Sequence, residues 1–249
     1  MPSIPTPEYG DEAQMNTYRK TAIIVGILFL VCSAASLLSF PFSGPILESQ
    51  YYLSKLFDSK NMVITGALIE FIQAAAAAGI AIGLYSVLKK HNGALALGAV
   101  GFRVVECVFV LIGALSLLSL LTLSQEFIAA GAPGASSFQT SGSLLLAVRD
   151  WSGNVISALA FSLGALMYYT VLYESNLIPR WLSGWGVLGI VLGLAATVLA
   201  SFTHDFSMGS VHTLLNVPIG LQEMVLAVWL IAKGFGAQAI TELSFETQG

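Results

Sequence analysis

The sequence predicts an all-α integral membrane protein, built as a bundle of six transmembrane helices. Hydrophobic residues make up 56% of the chain and charged residues only 10%, whereas soluble domains carry about 25% charged residues. The mean hydropathy is +0.81. Because one crossing needs about 20 apolar residues, a chain of 249 residues has room for about six spans and little else.

Six apolar segments follow one another along the chain. We expect spans at about residues 21–40, 62–88, 94–123, 144–172, 181–202 and 211–232. Together they form one membrane domain, residues 19–235. The polar ends predict a disordered tail at residues 1–18 and a second tail at residues 236–249. Pro41 and Pro45 predict the end of the first span, since proline removes a hydrogen bond from the helix.

The connections between the spans are mostly short. The mixture of aromatic and polar residues between spans one and two predicts a short helix at the membrane interface. Residues 89–93 can only reverse the chain, so spans two and three form an antiparallel hairpin. Arg149 and Asp150 interrupt the fourth apolar segment, and the sequence leaves open whether they lie in the membrane core or at the outer interface. Span five has three spaced glycines and no charge, which is typical of a packing helix.

The basic residues outside the spans predict the orientation. Six lie on the side of the N-terminus and two on the other side: Arg19, Lys20, Lys89, Lys90, Arg180 and Lys233 against Lys55 and Lys60. By the positive-inside rule, we expect both termini to be cytoplasmic and the protein to lie in the cell (plasma or inner) membrane. The net charge of −4 comes without a basic patch, so the sequence indicates no nucleic-acid partner.

An arginine and a glutamate lie in the middle of the third span. Arg103 and Glu106 are three residues apart, which places both side chains on one face of a helix. A charge at that depth costs between a few and more than about ten kcal/mol unless it is paired, hydrated or neutralised. The pair is therefore expected to face the interior of the bundle, where other spans supply partners.

Two further carboxylates are expected at the same depth. We counted about 1.5 Å per residue from the expected span ends, across a core about 30 Å thick. On this scale Glu70 in span two and Glu223 in span six reach the middle layer together with Arg103 and Glu106. The sequence therefore predicts one cluster of four ionisable groups on three helices.

The charge of this cluster is unbalanced. Three carboxylates face one arginine, which leaves two surplus negative charges if all are ionised, and Arg149 and Asp150 cancel each other. In a low-dielectric site such a surplus is relieved by protonation or by a bound cation. The cluster therefore implies a proton or a cationic ligand.

Polar residues in the same spans extend the candidate pocket. Asp150 and Asn154 lie on one stripe of span four, and His212 and Asn216 share a face of span six with Glu223. Pro218 lies beside them and frees backbone carbonyls, which in membrane helices often line a cavity. The candidate pocket or ligand-binding residues are Glu70, Gln73, Arg103, Glu106, Arg149, Asp150, Asn154, His212, Asn216 and Glu223.

Several kinds of site lack their sequence signature. No His-x-x-x-His, Glu-x-x-His or Cys-x-x-Cys spacing supports a metal site. The chain has no Gly-x-Ser-x-Gly element for a hydrolytic nucleophile and no glycine-rich phosphate loop. We therefore expect neither a metal nor a cofactor, and no catalytic residue can be named.

Four stretches in their order and spacing resemble a known family. They are residues 84–89 (Leu-Tyr-Ser-Val-Leu-Lys), residues 102–106 (Phe-Arg-Val-Val-Glu), residues 177–182 (Leu-Ile-Pro-Arg-Trp-Leu), and Glu223 followed by residues 227–235. From Arg19 to Phe235 the chain resembles the bacterial six-span membrane family catalogued as domain-of-unknown-function family 4386. The resemblance implies a six-span membrane fold with cytoplasmic termini and carries no established activity.

The leading hypothesis is a protein whose carboxylate-rich pocket binds or moves a small molecule or ion with proton exchange. One alternative is an intramembrane enzyme acting on a lipid or isoprenoid, with a carboxylate as general base and Arg103 holding an anionic head group. Another is a structural or partner-binding subunit in which Arg103 and Glu106 only fix helix register. We expect the protein to be surrounded by the lipid bilayer. The identity of a small-molecule, lipid or cation ligand and the formation of a homo-oligomer stay open.

Overall fold

A computed structural model describes residues 8–132, 137–206, 210–236 and residue 240. Over these ranges the chain forms helices and no strand. The helices are α1 (Glu8–Leu47), α2 (Tyr52–Asp58), α3 (Lys60–Leu88), α4 (Gly93–Ala129), α5 (Ser137–Asp150), α6 (Ser157–Ser175), α7 (Arg180–Thr203) and α8 (Val211–Ala232). A π-helical segment, Trp151–Ile156, joins α5 to α6. Six helical segments are long and apolar enough to cross a membrane, with Ser137–Ser175 counting as one. The prediction of an all-α bundle of six transmembrane helices is confirmed.

The six spans form a closed ring. Each spanning helix contacts its neighbours in the order α1, α3, α4, α6, α7 and α8, and α8 returns to α1. Arg19 closes the ring by donating hydrogen bonds to the carbonyls of Leu230 (3.1 Å) and Ile231 (2.7 Å) at the end of α8. A cation is favourable there, because the last carbonyls of a helix have no partner within the helix.

Helix α1 begins earlier than expected. The prediction of a disordered tail at residues 1–18 is wrong for residues 8–18, which belong to α1, while residues 1–7 lie outside the described ranges. Tyr18 is buried in the main apolar core, and the Lys90 ammonium lies 5.3 Å from the centre of its ring. Burial of this aromatic side chain stabilises a segment that its polar composition alone would leave disordered.

Helix α1 also ends later than expected. The prediction that Pro41 and Pro45 end the first span is wrong, because the helix continues through both prolines to Leu47. Proline has a φ that fits a helix and removes only one hydrogen bond from it. Ile46 packs with Leu56 and other residues of a second apolar core, and this contact stabilises the last turn.

The bundle has two ends that differ in structure. One end, here called the turn end, holds the turn at residues 89–92 and the start of α4, where Asn92 Oδ1 accepts a hydrogen bond from the Leu95 N–H (3.0 Å). The opposite end, here called the α2 end, holds the short helix α2. A large apolar core lies toward the turn end and a smaller one toward the α2 end. The polar sites lie between and beside these cores.

Glycines on α7 allow close approach of its neighbours. A Cβ at Gly186 would lie 2.5 Å from the Tyr169 ring, and a Cβ at Gly189 would lie 3.1 Å from the Ile219 backbone. Gly193 gives the same room to Asn216, whose Oδ1 would lie 2.7 Å from a Cβ. Because these glycines have no side chain, α6 and α8 pack closely against α7.

Candidate functional site

The Arg103 side chain lies inside the bundle on α4. Its Nη1 is 2.9 Å from Oε2 of Glu106, three residues later, and its guanidinium lies 5.1 Å from the centre of the Phe161 ring on α6. Arg103 is only 1% exposed. Helix α6 comes this close because Gly164 has no side chain, and a Cβ there would lie 3.3 Å from Arg103 Cγ.

Four residues from α6 and α8 complete a group that we call the central cluster. Its members are Arg103, Glu106, Tyr168, Tyr169, Gln222 and Glu223. The Tyr168 hydroxyl donates to Glu223 Oε1 at 3.4 Å, and the Tyr169 hydroxyl donates to Gln222 Oε1. Gln222 Nε2 donates in turn to the Leu182 carbonyl on α7 (3.0 Å). The charges of Arg103, Glu106 and Glu223 interact electrostatically.

Glu70 belongs to a different site, here called the α3–α5 ion pair. Arg149 of α5 donates to both Glu70 oxygens, at 2.5 and 3.2 Å. It also donates to the Gly113 carbonyl of α4 (2.9 Å) and to the Ser43 hydroxyl of α1 (3.4 Å). One arginine thus joins four helices, and its charge is neutralised by a two-point contact with a single carboxylate.

The expected single cluster of Glu70, Arg103, Glu106 and Glu223 is therefore two sites. Gly113 lies seven residues after Glu106, which is about 10 Å along α4. The depths had been counted from the expected ends of the spans, and these ends differ in the structure. Helix α4 continues to Ala129, and span four begins at Ser137. Glu70 meets Arg149 rather than Arg103 because of its depth in the bundle, since α3 and α4 are neighbours in the ring.

Gln73 borders the central cluster, and the other predicted residues lie apart from it. Gln73 is half-buried, and its backbone carbonyl accepts from the Cys32 thiol (3.7 Å), which interacts electrostatically with Arg103. Asp150 is exposed, and Asn154 is half-buried in the π-helical segment. His212 packs against the Phe206 ring, with 5.6 Å between ring centres.

Asn216 is bonded to its own helix rather than to Glu223. Its side chain donates to the His212 carbonyl at 2.8 Å. His212 lines a cavity of about 120 Å³ at the α2 end, and it lies eleven residues from Glu223, about 16 Å along α8. Over the ranges that the structure describes, no three His, Cys, Asp or Glu side chains are grouped so that they could hold a metal.

Sequence reasoning missed four members or neighbours of the central cluster: Phe161, Tyr168, Tyr169 and Gln222. One signal was available, since Phe161 and Tyr168 are seven residues apart and so lie on one face of α6. Tyr169 and Gln222 give no such signal, because their contact joins residues 53 positions apart on helices separated by α7 in the ring.

The family model described as a domain of unknown function, DUF4386, matches residues 24–234. The chain belongs to the DUF4386 family. The match confirms the resemblance found in the sequence, and it includes both the central cluster and the α3–α5 ion pair. No curated protein and no solved structure matches the chain.

Proposed function

We propose that this DUF4386 protein binds a small molecule or ion at the central cluster and moves it across the membrane in exchange for a proton. The observation that carries the proposal is the charge of the cluster. With Glu70 neutralised by Arg149, the cluster holds one positive charge, on Arg103, and two negative charges, on Glu106 and Glu223. One surplus negative charge is left if all three are ionised.

A surplus charge in a membrane interior is costly. Breaking a buried ion pair by removing one partner typically costs about 3–5 kcal/mol, because the remaining charge is uncompensated. A proton on a carboxyl, or a bound cation, removes the surplus. The site is neutral when it holds either a proton or a cation, and it is charged when both are absent. Such a site therefore exchanges the proton for the cation. This is the elementary requirement of a proton-coupled carrier.

The polar atoms of the cluster are not saturated by the protein. Arg103 Nε is buried and makes no hydrogen bond to any residue that the structure describes, and Glu106 Oε2 has Arg103 Nη1, at 2.9 Å, as its partner among those residues. The contact between Tyr168 and Glu223 is long, at 3.4 Å. Buried groups of this kind usually find partners, and a ligand in the cluster would supply them.

Glu223 is the carboxylate best placed to exchange its partner. Its contact with the Tyr168 hydroxyl is 3.4 Å long, whereas Glu106 Oε2 lies 2.9 Å from Arg103 Nη1. Helix α8 is separated from α6 by α7 in the ring, so Glu223 and Tyr168 meet across the ring interior rather than at the face between neighbouring helices. A ligand would therefore displace the weaker partner of Glu223 before it broke the Arg103–Glu106 pair.

Reconstitution into proteoliposomes tests the proposal. A pH-sensitive dye in the lumen would report proton movement driven by gradients of Na⁺, K⁺ or tetramethylammonium, the three probe cations. We expect at least one gradient to drive proton movement through the unmodified protein and Glu223→Gln to abolish it. Equal proton movement with Glu223→Gln, or none with any probe, would overturn proton-coupled cation exchange at this cluster.

A matched control tests whether the effect depends on the position of Glu223 or only on the loss of one negative charge. Glu174→Gln removes the same charge from an exposed position on α6, and it should leave proton movement unchanged. Infrared difference spectroscopy of the carboxylic C=O stretch adds a direct observation. A band that appears as the pH falls and is lost in Glu223→Gln would identify Glu223 as the group that takes up the proton.

A further inference from the structure

A second cavity lies at the α2 end, away from the central cluster. It has a volume of about 290 Å³ and is lined by the residues around the start of α2, the end of α4 and the first two turns of α5. This size is at the lower limit of small-molecule sites, which range from about 300 to 1,000 Å³. It is enough for a ligand of about one sugar ring.

The lining is polar and aromatic but carries no charge. Gln50, Ser54, Gln139 and Ser143 offer amide and hydroxyl groups, and the rings of two tyrosines and Phe127 offer apolar faces. Amides and hydroxyls both donate and accept hydrogen bonds. An anion would find no basic side chain in this lining, and a cation would find no carboxylate. The chemistry therefore selects a neutral ligand rich in hydroxyl groups.

Tyr52 is fixed against α5 by a glycine. A Cβ at Gly142 would overlap the Tyr52 hydroxyl oxygen, so the tyrosine ring occupies the space that a side chain would fill. The hydroxyl oxygen is buried and lies near the Ser143 hydroxyl. A tyrosine phenol is protonated at neutral pH, and burial raises the pKa of the Tyr52 phenol further, so it can donate a hydrogen bond.

The backbone around α2 is anchored to α4. The Ser124 hydroxyl donates to the Leu53 carbonyl, and both residues are buried. Phe127, one turn further along α4, packs edge-on against Phe138 of α5, with 5.9 Å between ring centres. Three sides of the cavity are thus held by contacts that do not depend on a ligand. Such a preformed site avoids part of the ordering cost of binding.

We propose that this cavity is a binding site for a neutral, polyhydroxylated ligand of about one sugar ring in size. Two sources share this chemistry: a sugar or polyol free in water, and the uncharged head group of a membrane lipid. The site stands apart from the central cluster and does not rest on the exchange proposed there, since it contains no ionisable carboxyl or basic side chain.

Binding to the full chain in lipid nanodiscs tests the proposal with named probes. Methyl glucoside in solution, followed by saturation-transfer NMR, represents the free source. Glucosyl diacylglycerol in the disc, followed by native mass spectrometry, represents the lipid source, with phosphatidylserine as the charged comparison. Binding of either glucosyl probe supports the site and identifies its source. Binding of neither, or retention of phosphatidylserine equal to that of the glycolipid, overturns the proposal.

Two variants locate the binding. Ser143→Trp, at an exposed position that borders the cavity, should fill it and abolish binding. Tyr52→Phe removes one hydroxyl and should weaken binding about fivefold, the usual effect of losing one hydrogen bond. Tyr85→Phe is the matched control, since Tyr85 lies near the turn end beside Lys89, and it should bind as the unmodified protein does. Binding that survives Ser143→Trp in a folded protein places the probe elsewhere and overturns the assignment.

Discussion

The two arginines that form ion pairs inside the bundle, Arg103 and Arg149, have opposite surroundings. Arg149 donates to both oxygens of one buried carboxylate, to one backbone carbonyl and to one hydroxyl, and the nearby Asp150 is exposed to solvent. Its buried charge is therefore matched and its hydrogen-bond partners are sufficient. Arg103 faces two carboxylates, Glu106 and Glu223, and keeps an Nε without a hydrogen bond to any described residue. The first arrangement is typical of a structural contact between helices. The second leaves a charge and several polar atoms for something else to satisfy.

This difference provides a criterion for distinguishing structural from functional charges in a membrane bundle. Burial does not distinguish them, because Glu70 and Glu106 are each 7% exposed. Structural and functional charges are distinguished instead by the local balance of charge and by whether each polar atom has a hydrogen-bond partner. If the comparison is right, equivalent substitutions at the two sites have different effects on stability and on proton movement.

The largest effect is expected at the α3–α5 ion pair. Arg149→Gln leaves Glu70 buried without a charged partner, and we expect a loss of about 3–5 kcal/mol in the free energy of unfolding. Denaturant unfolding in detergent micelles measures it. The double variant Arg149→Met with Glu70→Leu should recover most of the loss, because it removes both charges.

The control for this experiment is Arg180→Gln, which removes an exposed arginine that lies over the Tyr173 ring. Its effect should be small. If Arg149→Gln unfolds at the same denaturant concentration as the unmodified protein, the ion pair does not hold the four helices together.

A smaller effect is expected from removing a carboxylate of the central cluster. Glu106→Gln leaves Arg103 with Glu223, which balances its charge, so we expect a loss of about 1–3 kcal/mol. Glu70→Gln is the matched substitution at the other site, where the remaining carboxylate near Arg149 is Asp150, which is exposed to solvent, and it should cost more because an exposed charge compensates less than a buried one. Unfolding of the two variants under one condition makes the comparison, and an equal or reversed order would contradict the charge balance assigned to the central cluster.

The smallest effects separate two neighbouring tyrosines. Tyr169→Phe leaves the buried Gln222 oxygen without its donor and should cost about 1–2 kcal/mol, with proton movement retained. Tyr168→Phe removes the long contact with Glu223 and the interaction of its hydroxyl with that of Tyr169, so stability should change by about 1 kcal/mol at most while the pH dependence of proton movement shifts. Unfolding and dye-based flux on the same preparations test both. Identical behaviour of the two variants would show that the cluster acts as a single structural unit.

Part of the candidate site was predictable from the sequence. The spacing of Arg103 and Glu106 placed them on one face of one helix, and the structure pairs them at 2.9 Å. The pairing of Glu70 with Arg149 was not predictable, because these residues are 79 positions apart and meet only after α3 and α5 have packed against α4. The cytoplasmic position of the termini and the choice of the cell membrane stay predictions from the basic residues.

The sequence by itself determined the membrane fold. Its apolar segments are long enough to cross a bilayer and contain few charged residues, so lipid is the environment that covers their apolar surface. The number of spans and the inward position of their charges follow from the same cost of exposing polar groups to lipid. The tertiary structure decided which charges meet, since contacts between helices depend on ring order and on depth rather than on local spacing. It also decided where the first helix begins and ends, because the burial of Tyr18 and Ile46 extends α1 beyond the limits that its polar residues and prolines suggest.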